Sequence, residues 1–147
     1  MARFVLTRRS RLPAGVCWER LTDWPRHGER VPFTRVSVSP GNGRQVGDTI
    51  LARTAVGPLR LFDDPMEIVE ITEPAPGRDG VCRLVKRGRP IRGGAELRVR
   101  TVGARGGRSE VTWAEEVVVA GLPGVLDPVV ARAGRLVFGR VLDRLLG

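Results

Sequence analysis

The sequence predicts an α+β fold: a curved antiparallel β-sheet wrapped around one long C-terminal helix, with two short helices after the first strand. Three observations predict it. Up to about residue 120 the chain is a series of short apolar runs separated by Gly- and Pro-rich turns at roughly ten-residue spacing, as in an antiparallel meander. The end of the chain instead carries one amphipathic helical pattern. Asp127-Pro128 opens it, an N-cap residue followed by a proline at the first helical position. Near the start, Ala14, Cys17, Trp18 and Leu21 recur at i, i+3, i+4 and i+7, one face of a short helix. A sheet closed by a single helix must bury its inner face against that helix. Small inner side chains then leave a cavity between the two.

The elements follow in order. Residues 3–10 read as a strand with Phe4 and Leu6 on one face. Pro13 opens the first helix, and Asp23-Trp24-Pro25 ends it and can cap a second. Residues 33–39 form the next strand, with Val36 and Val38 on one face, and 40–43 (P-G-N-G) turn the chain. Residues 48–56 are a strand broken by Gly57-Pro58. A short strand at 59–62 is interrupted by Asp63-Asp64-Pro65, and 66–72 is rich in β-branched residues. After the turn at 74–77, strands at 81–87, 95–102 and 110–119 complete the sheet, separated by turns at 88–94 and 103–107. In the final helix Val129, Val130, Ala133, Leu136 and Val137 share one side. Phe138, Val141, Leu142 and Leu145 lie about a third of a turn away, with Gly134 and Gly139 at the changeover. The first group is expected to face the cavity and the second to pack on another element, with a bend near the glycines.

A chain of 147 residues with 41% hydrophobic content fits one globular domain, 1–147. No apolar run approaches the roughly 18 residues of a transmembrane helix. The apolar run before Thr7-Arg8-Arg9 is too short for a signal-peptide core, so a cytoplasmic location is expected. Cys17 and Cys82 fit a reducing compartment, and Cys17 falls on the apolar helix face. The net charge is +9, but residues 83–108 hold nine basic groups against one acid, Glu96, and the rest is nearly neutral. Of the 25 basic residues 24 are Arg and one is Lys, a usage that GC-rich coding favours.

Several segments together resemble one superfamily. P-A-G-V-C-W-E-R-L-T-D-W at 13–24 resembles the first helix of SRPBCC proteins, the START-like, polyketide cyclase/dehydrase and lipid-transport superfamily. V-G-D at 46–48 resembles the opening of its third strand. F-D-D-P-M-E-I-V-E-I at 62–71 and S-E-V-T-W-A-E-E at 109–116 are similar to an uncharacterised bacterial branch. The resemblance spans nearly the whole chain and implies the helix-grip fold, with an apolar cavity between sheet and C-terminal helix. Activities in the superfamily range from lipid and hormone binding to aromatic polyketide cyclisation and co-chaperone work, so the fold transfers and the activity does not.

The candidate pocket residues are the aromatics Trp24, Phe33, Phe62 and Trp113, with the smaller Ala52, Thr54, Leu97, Val99, Val130 and Val137 beside them. Each aromatic can equally be core. Glu115 is the candidate catalytic residue. By period-two alternation it shares a face with Val111, Trp113, Val117 and Val119, pointing inward, where desolvation would raise a carboxyl pKa towards general acid–base use. A bulge would instead turn it outward onto an arginine. His27 reads as a surface or capping side chain, and Asp63-Asp64 as a solvated turn. No metal-ligand spacing, no Ser-His-Asp set and no phosphate loop appears, so neither metal nor cofactor is expected.

The basic hairpin has three readings. It is a solvated outer sheet face, a cluster for anionic partners, or a source of one arginine at the cavity mouth. Arg87, Arg89 and Arg92 are the anion-binding candidates. No Phe, Tyr or Trp interleaves the arginines, which disfavours nucleic acid. The leading function is binding of a small hydrophobic or amphipathic ligand, lipid or polyketide-like. The alternatives are a cyclase or dehydratase-type enzyme using the same cavity, and a partner-binding module acting through the 83–108 hairpin.

Overall fold

The computed structural model describes residues 1–103, 105 and 107–147. Among these residues seven strands form one antiparallel sheet in the order β1-β7-β6-β5-β4-β3-β2. They are β1 (Ala2–Ser10), β2 (Thr34–Ser39), β3 (Thr49–Val56), β4 (Leu59–Thr72), β5 (Gly80–Arg87), β6 (Ile91–Val102) and β7 (Arg108–Val119). Helix α1 (Ala14–Leu21) and a 3-10 helix (Trp24–Arg30) follow β1, and helix α2 (Asp127–Leu146) ends the chain. This curved sheet with its long terminal helix is the helix-grip architecture.

Alternation sets the two faces. Phe4 and Leu6 on β1, Val111, Trp113 and Glu115 on β7, and Ala95, Leu97 and Val99 on β6 turn inward and are buried. The α1 face Ala14, Cys17, Trp18 and Leu21 is buried, as its spacing predicts. Both cysteines are free, and burial pushes the Cys82 thiol up to about 12, so it stays an inert thiol. Asp48 of the V-G-D segment has a structural task. Its carboxylate accepts the Gly43 N–H at 2.9 Å, and the Gly43 carbonyl accepts the Trp24 indole N–H at 2.7 Å. The loop before β3 is thereby tied to the core.

The structure revises the sequence reading in three places. First, β4 runs unbroken through Asp63-Asp64-Pro65. Pro65 pairs with Leu51 of β3, one step beyond the last β4–β5 pair, Met66 with Lys86. Its Cδ faces Gly88 after β5, 3.1 Å from where a β-carbon there would stand. The missing N–H therefore lies on a side where the ladder has ended, and no sheet hydrogen bond is lost. Second, β6 begins at Ile91, so Gly93 and Gly94 lie inside a strand. Gly93 has φ 127°, and a β-carbon there would collide with the Glu116 carbonyl. Positions 104 and 106 of the predicted 103–107 turn lie outside the described residues.

Third, α2 buries its second stripe and leaves much of its first exposed. Val141, Leu142 and Leu145 are buried, whereas Val129 and Leu136 are 63% and 57% exposed. The helix lies along β1, with further packing on α1 and the 3-10 helix. The Met1 ammonium to Asp127 at 2.5 Å, Arg8 to Asp143 at 2.8 Å and Arg20 to the Leu145 carbonyl at 3.2 Å hold it there. Gly134 serves this approach, because a β-carbon on it would fall on the Phe4 ring.

Candidate functional site

Because α2 follows β1, it makes no extensive contact with β3 or β4 among the described residues. The inner face of these two strands is closed at one end and open at the other. Along β4, Ile68 is fully buried, Met66 half-buried, Asp64 8% exposed and Phe62 39% exposed. On β3, Ile50 is buried and Ala52 and Thr54 are half-buried. The uncovered part of this inner face therefore lies towards Phe62 and Thr54.

Under the helix the space is filled by stacked rings. Phe138 stacks on Trp113 at 5.3 Å between centroids and 19° between planes, and Phe4 lies 5.8 Å beyond Phe138. His27 sits 5.9 Å from Trp113 and 5.1 Å from Trp24. His27 is thus a core residue, not the surface or capping side chain its lone position suggested. Its Nε2 lies 2.7 Å from the Leu21 carbonyl, to which an N–H there donates. Burial lowers its pKa, partly offset by that hydrogen bond and by Asp23.

A cluster of charges stands between this aromatic core and the uncovered inner face. Lys86 Nζ donates to Asp64 Oδ2 at 2.6 Å, lies 3.1 Å from Glu115 Oε1, and reaches the Met66 sulfur at 3.6 Å. Trp113 donates its indole N–H to Glu115 Oε2 at 2.8 Å. The three charged residues come from β4, β5 and β7. Lys86 pairs with Gly93 on the intervening β6, and Ala95 there pairs with Glu115. Small residues at both positions let the ammonium cross β6 to the carboxylate. Burial pulls the Lys86 ammonium down, but the charges of Glu115 and Asp64 outweigh it and hold its pKa above the usual lysine value. Asp64 Oδ1 is buried and has no hydrogen-bond partner. The supposed solvated acid pair is split: Asp63 faces outward onto Arg53 at 2.9 Å, and Asp64 faces the cluster.

Glu115 points inward as alternation predicts, but the partner that holds it, Lys86, was not singled out in the sequence. A signal existed. In a chain with 24 arginines, the single lysine occupies an inward strand position. A compact ammonium with three donors suits a site shared by three acceptors better than the planar guanidinium fork does.

The sequence-predicted pocket residues fall into three groups. Leu97, Val99, Trp113 and Trp24 lie in the closed core. Ala52, Thr54 and Phe62 are incompletely buried on β3 and β4, and Val130 and Val137 are half-buried on α2, Val130 beside Met1 and the end of β7. Phe33 stands apart. It precedes β2 with φ 59° and is largely exposed. It lines an open groove of about 830 Å³ at the sheet edge with Gly28, Pro32, Arg35, Arg53 and Gly57, and no residue of the charge cluster lines that groove. Of the anion-binding candidates, Arg87 pairs with Glu67 at 2.8 Å, while Arg89 and Arg92 have no ion pair among the described residues. Other arginines of the hairpin sit on the outer face against acids opposite them in register. Arg83 meets Glu96 at 2.9 Å and Glu70 at 3.1 Å, and Arg100 meets Glu110 at 2.8 Å. This is the pattern of a solvated outer face.

The fold recurs in solved structures. A START superfamily protein from Mycobacterium smegmatis superposes with a TM-score of 0.67 at 12% identity, over 99% of this chain and 97% of that one. Norcoclaurine synthase from Thalictrum gives 0.65 at 11% identity, over 98% and 92%. The Zhui aromatase/cyclase from Streptomyces sp. R1128 gives 0.55 at 16%, over 97% and 85%. These likenesses, all below 25% identity, show a shared helix-grip fold. No protein-family model matches the chain, and no curated protein matches it. No helix among the described residues is long and apolar enough to cross a membrane.

Proposed function

We propose that the protein binds a small hydrophobic or amphipathic molecule, lipid or polyketide-like, in the cleft between α2 and the inner face of β3 and β4, and does so in the cytoplasm. One observation carries this: incompletely buried Phe62, Thr54 and Ala52 lead down to a buried charge cluster that a packed core would not require. Well-packed apolar residues in place of buried charges are often as stable or more so, which favours a task for the cluster other than stability. That a synthase and an aromatase/cyclase use the same fold supports an interior site without naming its ligand. An enzyme acting through Glu115 draws on the same geometry. Both Glu115 oxygens are engaged, by Lys86 and by Trp113, so binding is the preferred function.

The test is mass spectrometry of the purified protein under native conditions, followed by solvent extraction and tryptophan-fluorescence titration with the extract. A bound apolar compound that saturably changes the emission supports the proposal. An empty protein whose fluorescence responds to no apolar or amphipathic probe contradicts it.

A further inference from the structure

The cluster at the floor of the cleft has one acid too many. Two carboxylates face one ammonium, and the three donors of Lys86 have three acceptors in reach: Asp64 Oδ2, Glu115 Oε1 and the Met66 sulfur. Trp113 satisfies the second Glu115 oxygen. Of the four carboxylate oxygens only Asp64 Oδ1 has no donor, although it is buried. Asp64 is also the member nearest the opening. Its side chain is 12% exposed, against 3% for Lys86 and 3% for Glu115. Opposite it in register stands Ala52, which offers no polar group, and beyond it on β4 lies the exposed Phe62.

A buried site that carries a net negative charge and one orphan acceptor is complemented by a group that is both cationic and a hydrogen-bond donor. Building on the cleft as a ligand site, we propose that it selects amphipathic amines: the Asp64 carboxyl group turns its enclosed Oδ1 to the opening, the protonated nitrogen donates to it, and the apolar part lies against Phe62 and Thr54. The charge of the whole protein argues the opposite way. At net +9 the long-range field repels cations and attracts anions, so a preference for amines can arise only from local geometry.

The test compares decylamine, decanol and decanoate, matched in chain length, by tryptophan-fluorescence titration at about neutral pH. The proposal predicts that decylamine binds at least about tenfold more tightly than decanol, the worth of one charge-assisted hydrogen bond, and that decanoate binds most weakly. Asp64→Asn is expected to bring decylamine and decanol to within about twofold of each other, with folding checked by circular dichroism. The wild-type ranking decides the matter if that variant does not fold. Decanol binding as well as decylamine, or decanoate binding best, overturns the amine preference and leaves the cleft as a ligand site. Failure of all three to bind overturns the cleft as a ligand site, and the amine preference with it.

Discussion

Lys86 is the residue on which the site turns. Removing it leaves Asp64 and Glu115 buried without a counter-charge, and Lys86→Ala is expected to cost about 3–5 kcal/mol in denaturant unfolding. The same residue sets an alkaline limit. Its pKa is raised in the fold, so its contribution is fully present below the unfolded value of about 10.4 and declines as pH rises through the higher folded value. Buried Cys82 also loses stability as pH rises past the free-thiol range, in wild type and variant alike, so between about pH 8 and 11 stability should fall in both, and more steeply at the alkaline end in the wild type than in Lys86→Ala. Alkaline profiles of the same slope in wild type and Lys86→Ala would show that Lys86 is not held by the two acids. The inward direction of Glu115 was legible because strand alternation is a local property. Its partnership with Lys86 and Asp64 was not, because it depends on the register of β4 through β7, which no local pattern of residues 64, 86 and 115 encodes.

Helix α2 shows what periodicity can and cannot settle. Its two apolar stripes were both visible, but which of them packs depends on where the helix lies, and it lies along β1. Leu142 and Leu136 make the contrast testable within one element. Leu142→Ala should cost about 2–5 kcal/mol, since it empties a closed core site. Leu136→Ala should change stability by no more than about 0.5 kcal/mol, since that side chain is exposed. Comparable losses in thermal or denaturant unfolding would mean that the first stripe packs as tightly as the second. The α1 face was read correctly because one short helix shows a single unambiguous stripe. The long β4 was misread because a proline ends a strand only where its N–H would enter a ladder, and at Pro65 the β5 ladder has already ended.

At the scale of the molecule, a net charge of +9 does not by itself imply a nucleic-acid partner. Much of the basic hairpin is neutralised by acids across the outer face, and such exposed pairs contribute about 0–1 kcal/mol each. Binding to acidic vesicles or to DNA is expected only at low ionic strength and should vanish near about 150 mM salt, where the Debye length is about 8 Å. Replacing Arg87, Arg89 and Arg92 together with Gln should weaken it further, and tight salt-resistant binding in a filter or flotation assay would favour a partner-binding role instead. The meander and the closing helix were legible from turn spacing and one long amphipathic pattern. Which strands α2 leaves uncovered was not, since the sequence shows small inner residues but not where along the sheet the helix lies. The most direct measurement is a two-dimensional amide NMR titration of the whole chain with decylamine and with decanol. Shifts should concentrate at Ala52, Thr54, Phe62, Asp64, Val130 and Val137 and saturate at one equivalent of either probe. Shifts confined to the outer sheet face, or to the groove around Phe33, would contradict a ligand site between α2 and the β3–β4 face.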